Sequence, residues 1–238
     1  MKAIVITPTI GSPDLVQANL SVRNQTIPTT HLIVVDGLQY AEKVDKLNIE
    51  FDNKNTFKCQ LPFNTGANGW YGQRIMSAFS YLTDFDYILF LDQDCWFDEN
   101  HVESLVDVME KTYFDWAYSL RKIYDKEGNF LCQDNCESLG RWPIWNGDSY
   151  LIDNNCYIFS NHFLKENGHF HLFGWGADRR FYEIIKQVHG DSNYACSGLY
   201  TANYRLGGGT TSPLAEFFFE GNMKTAEQYR GDYPWAKT

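Results

Sequence analysis

The ten residues LFLDQDCWFD, Leu89 to Asp98, decide how the chain is read. With Tyr87 and Ile88 before them, Leu89, Phe90 and Leu91 complete an uninterrupted apolar run, the pattern of a strand in a parallel sheet covered on both faces. Two acids one residue apart, Asp92 and Asp94, follow at once. Ligands of open α/β sheets bind beyond the carboxyl ends of strands, and side chains at i and i+2 of an extended backbone lie on one side. Asp92 and Asp94 are therefore placed to approach one ligand together, as oxygen donors for a hard divalent cation. The competing account is a polar strand end, with Asp98 capping the helix that follows.

Outward from this stretch, strands and helices alternate. Ala3 to Thr7, His31 to Val35 and Phe57 to Pro62 read as strands. A helix begins at Ser12 with Pro13 in its first position and Leu15, Ala18 and Val22 on one side, and a short one covers Ala41 to Leu47. Ile75, Ala78, Phe79 and Leu82 have amphipathic helical spacing, as do Val102, Leu105, Val106 and Met109. The pattern predicts an α/β fold with a mostly parallel central sheet flanked by helices. The second half predicts a small second sheet: a hairpin from Trp116–Tyr124 and Phe130–Gln133, a strand over Tyr150–Phe159 and another over Tyr194–Leu206. Helices are expected from Gly176 to His189 and from Ser212, the latter with Leu214, Phe217, Phe218 and Gly221 on one face.

Composition narrows the function classes. The chain's 238 residues suit one large domain, here divided by role into residues 1–112 and 113–238. Thirty acidic against 20 basic side chains give a net charge of −10, which opposes a phosphate-tracking nucleic-acid surface. No apolar run is long enough to span a membrane and no signal-peptide pattern opens the chain, so a cytoplasmic protein is expected. Of six cysteines only Cys132 and Cys136 lie close together, without a second pair to complete a zinc site, and ordinary reduced thiols are the simpler reading.

The segment ITPTIGSPDLVQANLSVRNQTIPTTHLIVVDG resembles the opening of family 2 glycosyltransferases of the GT-A fold, LFLDQDCWF resembles that family's DXD strand, and GWGADRRF resembles the segment carrying its catalytic base. The GWG opening is also similar to the GWGGED motif of β-1,4-galactosyltransferase-like enzymes. These segments come in the family's order and span residue 3 to about 210. The resemblance implies an inverting hexosyl- or N-acetylhexosaminyltransferase that uses a UDP-sugar, a hydroxyl acceptor such as a glycan, and Mn²⁺ or Mg²⁺. Residues 1–112 would then bind the nucleotide-sugar and 113–238 the acceptor.

Residue by residue, the resemblance implies that Asp94 binds the metal directly and Asp92 touches metal or ribose. Thr7, Pro8 and Thr9 would line base and ribose, Asp36 would accept a hydrogen bond from a pyrimidine, Gly66 lies in the glycine-rich turn Asn64–Gly69, and Arg74 would lie near base or diphosphate. Asp178 would be the base, with Trp175 offering a flat face to a sugar and Asn154 a hydrogen bond. The chain departs from the family in three places: Asp36 is followed by Gly37-Leu38 rather than Asp-Gly-Ser, Ala177 stands where the Glu of GWGGED is expected, and TANYRLGGGTT, Thr201 to Thr211, lacks the histidine that serves as third metal ligand. Asn203, Arg205 or water would take its place, and Glu183 and Asp153 are the alternative bases. An inactive nucleotide- or carbohydrate-binding module and a sugar nucleotidyltransferase are the alternative functions, the second opposed by the lack of a basic glycine-rich loop in MKAIVITPTIGSPD. A viral enzyme that glycosylates DNA bases is a third, disfavoured by the acidic balance.

Overall fold

The computed structural model describes residues 2–147, 149–167, 174–207 and 214–236. Its first half is β1 (Ala3–Thr9), α1 (Leu15–Arg23), β2 (Thr29–Val35), α2 (Ala41–Asp45), β3 (Thr56–Gln60), α3 (Gln73–Leu82), β4 (Tyr87–Phe90), β5 (Trp96–Phe97) and α4 (His101–Thr112). Then come β6 (Trp116–Tyr124), β7 (Phe130–Gln133), β8 (Tyr157–Ser160), α5 (Asn161–Asn167), α6 (Ala177–His189), β9 (Tyr194–Arg205) and α7 (Ala215–Tyr229). Among the described residues the strands form one sheet in the order β3-β2-β1-β4-β8-β6-β9-β5, with β7 on β6.

The strands from β3 to β4 are parallel, as their apolar sequences predict. Beyond them the sheet is mixed: β8 runs antiparallel to β4 and β6, β9 runs parallel to β6, and β5 runs antiparallel to β9. The strands expected to form a small second sheet thus continue the first through β8. That strand is short. Leu151 and Ile152 are buried, but Asp153 accepts a hydrogen bond from the Asn155 amide (2.9 Å) and caps a single 3₁₀ turn, so pairing starts only at Tyr157.

Helix faces follow sequence spacing where a helix lies flat on the sheet. Leu15, Ala18 and Val22 of α1 are buried, as are Val102, Leu105, Val106 and Met109 of α4. On α3 the buried face is turned: Ile75 and Met76 pack inward, while Ala78 is exposed and Leu82 is 73% exposed. Phe218 and Gly221 of α7 are buried and Phe217 packs on Trp145, whereas Leu214 points out; Ser212 lies outside the described residues. Asp98 does not cap α4, whose N-cap is Asn100. Its carboxylate instead accepts from Lys122 Nζ at 2.5 Å and Asn203 Nδ2 at 2.9 Å, tying β5 to β6 and β9.

One buried polar chain anchors the first layer. His31 of β2 bonds Asn19 of α1 through Nδ1 (3.0 Å) and Thr7 of β1 through Nε2 (2.8 Å). Burial drives its pKa down to about 3, so it packs as a neutral ring. In the second half Trp116 stacks on Tyr194 at 4.1 Å within a cluster of aromatic rings. No helix among the described residues is long and apolar enough to cross a membrane.

Leu89 is fully buried on β4, which pairs with β1 on one side and β8 on the other. Leu89→Ala is expected to cost about 2–5 kcal/mol by loss of burial and cavity formation, read from the urea midpoint at unchanged m-value.

Candidate active site

A cleft of about 520 Å³ opens at the carboxyl ends of β1, β2 and β4. Pro8 and Thr9 end β1, Asp92 and Asp94 follow β4, Asn154 precedes β8, and Trp175 and Asp178 lead into and begin α6; all line the cleft with Asp36 and Gly66. The fold therefore unites segments that are far apart in sequence. The mouth closes where two loops meet: a Cβ on Gly174 would stand 2.3 Å from the Gly69 carbonyl oxygen, so only glycine permits that approach.

Asn155 fixes the strand-end acid. The Asp92 amide donates to its Oδ1 (2.6 Å), and its Nδ2 donates to Asp92 Oδ2 (3.1 Å) and to Asp153 Oδ1 (2.7 Å). Gln93 points the other way, its Oε1 accepting from Thr9 Oγ1 (2.7 Å) and the amides of Ile10 and Ser12. Asp92 and Asp94 remain partly accessible from the cleft. Desolvation and then the charge of Asp94 push the Asp92 pKa up to about 7, and desolvation also raises that of Asp94.

The floor is a charged network that sequence spacing did not show. Arg121, buried on β6, donates through Nε to Asp134 (2.8 Å), through Nη1 to Asp153 (2.5 Å) and through Nη2 to Glu137 (2.5 Å), and Glu137 in turn accepts from Arg179 Nη2 (2.8 Å). The only sequence signal was an arginine in the middle of the strand pattern WAYSLRKIY. Asp153, an alternative base by sequence, is held in this network, and Glu183 lies on the outer face of α6 paired with Arg180 (3.2 Å).

Two expected donor-binding residues do not line the cleft. Thr7 is fully buried and its hydroxyl is engaged with His31. Arg74 lies over the Trp70 ring at 3.9 Å and donates to the Thr65 carbonyl (3.2 Å), bracing the turn from outside. Asp36 borders the cleft, but its two oxygens accept from Thr65 N (2.6 Å), Thr65 Oγ1 (2.9 Å) and Gly66 N (2.8 Å). Near the expected third ligand, Asn203 turns away to Asp98, while Arg205 lines the cleft and donates to the Asp94 carbonyl oxygen (3.2 Å). His169 and His171 lie outside the described residues, as do Gly208 to Thr211. His189 bonds Asn167 at 3.0 Å.

The donor set fits a divalent cation. Asp92 and Asp94 offer carboxylate oxygens at the open end of a strand, enough for an ion that keeps its other positions for water and phosphate. No group of three or more His, Cys, Asp or Glu side chains converges as a metal cluster among the described residues; all six cysteines are free thiols. Six carboxylates line the cleft against three guanidinium groups. A diphosphate entering such a surface needs positive charge brought with it.

Asp178 lines the same cleft as the strand-end acids. Its Oδ1 accepts from the Arg179 amide (2.8 Å), and desolvation followed by the charge of Asp153 raises its pKa to about 6. Trp175 beside it is 72% exposed.

Residues 4–164 match the family model described as Glycosyl transferase family 2. Among solved structures, a crystal structure of S. aureus TarS residues 1–349 superposes with a TM-score of 0.62 at 17% identity, covering 96% of this chain and 65% of that one. The same fragment in complex with UDP gives a TM-score of 0.59 at 17% identity, with coverage of 96% and 65%. The fragment in complex with UDP-GlcNAc gives 0.62 at 16% identity, with coverage of 96% and 66%. These likenesses establish the GT-A fold. Comparison with curated proteins finds no match.

The raised Asp178 pKa has a consequence for stability. Because the folded value, about 6, lies above the roughly 3.9 of an unfolded aspartate, ionising Asp178 costs folded stability above pH 6, and the cost disappears as pH falls towards 4. Asp178→Asn never carries that charge. The variant is expected to be more stable than the parent at pH 7.5, by about 1 kcal/mol because the carboxylate keeps some solvent, with the gap closing by about pH 4. Melting temperatures at the two pH values test this.

Proposed function

The chain belongs to glycosyl transferase family 2, and from that membership and the geometry of the cleft we propose that it transfers a sugar from a UDP-sugar to a hydroxyl of a glycan acceptor, with inversion at the anomeric carbon. The transferred group is a hexosyl or N-acetylhexosaminyl unit. The observation that carries the reading is one cleft lined both by the strand-end pair Asp92 and Asp94 and by Asp178 and Trp175. The likeness to a protein crystallised with UDP and with UDP-GlcNAc supports the choice of donor.

Asp92 and Asp94 would hold Mn²⁺ or Mg²⁺, which when bound supplies Lewis-acid neutralisation of the charge developing on the leaving diphosphate. The chain does the rest. Asn155 holds Asp92 by its backbone amide and its carboxylate, so that the coordinating oxygens are set before the donor arrives. Arg205, against the Asp94 carbonyl, places a guanidinium at the same end of the cleft. Trp175 offers its exposed face to an acceptor ring, and Asn154 lines the same cleft.

Asp178 takes the proton of the attacking hydroxyl. With a pKa of about 6 it is mostly ionised at neutral pH, yet basic enough to accept a proton as the new bond forms. Transfer should therefore fall as pH drops below about 6 and level off above it.

Two variants separate binding from turnover. Asp94→Ala is expected to abolish Mn²⁺-dependent UDP binding in calorimetry while leaving the melting temperature of the free protein close to the parent's. Asp178→Asn should bind UDP normally but lose about 10²- to 10⁴-fold in transfer. Near-normal transfer by Asp178→Asn would place the base elsewhere, and undiminished Mn²⁺-dependent binding by Asp94→Ala would refute the metal site.

A further inference from the structure

The helix that carries the proposed base has no capping side chain. Gly176 precedes α6 at φ +77° and brings nothing to the free amides of its first turn. Among the described residues one hydrogen bond reaches the Asp178 carboxylate, and it comes from the backbone amide of Arg179 (2.8 Å). The carboxylate is therefore oriented by wherever that amide is held. What holds it is the side chain of the same residue.

The Arg179 guanidinium is tied to a buried partner with no freedom of its own. Its Nη2 donates to Glu137 Oε1 at 2.8 Å, and its Nη1 lies 3.4 Å from Ser149 Oγ. Glu137 is 5% exposed; its other oxygen accepts from Arg121 Nη2 (2.5 Å), and its amide donates to Asp134 (2.9 Å). A carboxylate committed on both oxygens cannot follow the helix, so the start of the helix is set by the carboxylate. Arg121 also reaches Asp153, and Asp153 shares Asn155 with Asp92. The base and the strand-end acid are thus referred to one buried hub. The Arg179 side chain is 35% exposed, so its ion pair adds little to folding. Its worth lies in geometry, because a displacement of 1 Å at a reacting group can cost about 10²-fold in rate.

We propose that Arg179 is the positioning residue of the base: anchored to Glu137 by its guanidinium and holding the Asp178 carboxylate by its backbone amide, it keeps Asp178 in register with Asp92 and Asp94. Arg179 itself exchanges no proton, since a guanidinium stays charged in proteins. The assignment rests on the reading of Asp178 as the base and adds what orients it.

The test compares the parent with Arg179→Met, Arg179→Lys and Asp178→Asn by melting temperature, by calorimetric UDP binding with Mn²⁺, and by release of UDP from saturating UDP-GlcNAc with water as acceptor. Carbon NMR titration of the Asp178 carboxyl in the parent and the Arg179 variants adds a readout that needs no acceptor. Arg179→Met should melt and bind UDP like the parent while releasing UDP about 10²-fold more slowly, and Arg179→Lys, whose ammonium can still pair with Glu137, should recover part of the rate. In the parent the carboxyl should titrate near 6, raised by desolvation above all and by Asp153 and Glu137, and lowered by the Arg179 amide and Arg121. Released towards water in Arg179→Met, it should move towards the roughly 3.9 of an exposed aspartate. An unchanged titration in Arg179→Met overturns the positioning role, as does an unchanged rate where the parent releases UDP, or a loss of melting temperature and UDP affinity in step with the rate; each leaves Asp178 standing as the base. Where water is too poor an acceptor for the parent, the titration alone decides. Parent-like UDP release by Asp178→Asn, or a parent chain that binds no uridine nucleotide, overturns the functional reading and this assignment with it.

Discussion

A guanidinium buried at 3% exposure on a central strand has to be neutralised where it stands, and Arg121 meets that demand with Asp134, Glu137 and Asp153. Taking these charges out of water costs several kcal/mol each unless the geometry is nearly complete. Each of the three Arg121 nitrogens donates to a carboxylate, and Asp134 further accepts from the amides of Cys136, Glu137 and Ser138. The arginine thereby fixes two loops that no secondary structure holds. From one of them Asp153 reaches Asn155, and Asn155 sets Asp92. From the other Glu137 reaches Arg179, next to Asp178. The two walls of the cleft are thus positioned by one buried side chain.

Much of the first half was legible in the sequence because its information is local. Continuous apolar runs gave the parallel strands, and the change from apolar to acidic at Leu91-Asp92 marked the carboxyl end of β4, where the cleft lies. Trp175 and Asp178, singled out by the resemblance of GWGADRRF to the family's base segment, both line the cleft. What stayed hidden depends on distant partners. Arg121 pairs with residues 13, 16 and 32 positions away, and no spacing rule encodes that. Asp98 looked local, as a helix cap, but its carboxylate pairs across the sheet with Lys122 and Asn203, and Arg74 packs on Trp70 in its own turn. The face of α3 was misread because Ser77 and Ser80 are buried where periodicity assigns the inside to apolar residues.

The electrostatics of the cleft run against the stability of the empty protein. Asp92, Asp94 and Asp178 all have pKa values raised by desolvation, and neighbouring carboxylates add to each shift. A chain selected only for folding would replace some of them with neutral residues. Their retention on opposed walls, with fewer guanidinium groups than carboxylates, leaves a site whose charge is balanced only when positive charge enters with the ligand. On the proposed function, an anionic diphosphate without its cation would meet repulsion, and the pair together would meet attraction.

Asp36 shapes the border of the cleft through the turn that it holds. Its carboxylate organises Thr65 and Gly66, and the absence of a side chain at Gly66 lets the Tyr71 carbonyl approach and hold a strained tyrosine at the cleft. Replacing Asp36 would leave the orphaned amides of Thr65 and Gly66 to find water, and the turn would lose the contact that sets its shape. The effect on a ligand would then resemble the loss of a direct hydrogen bond.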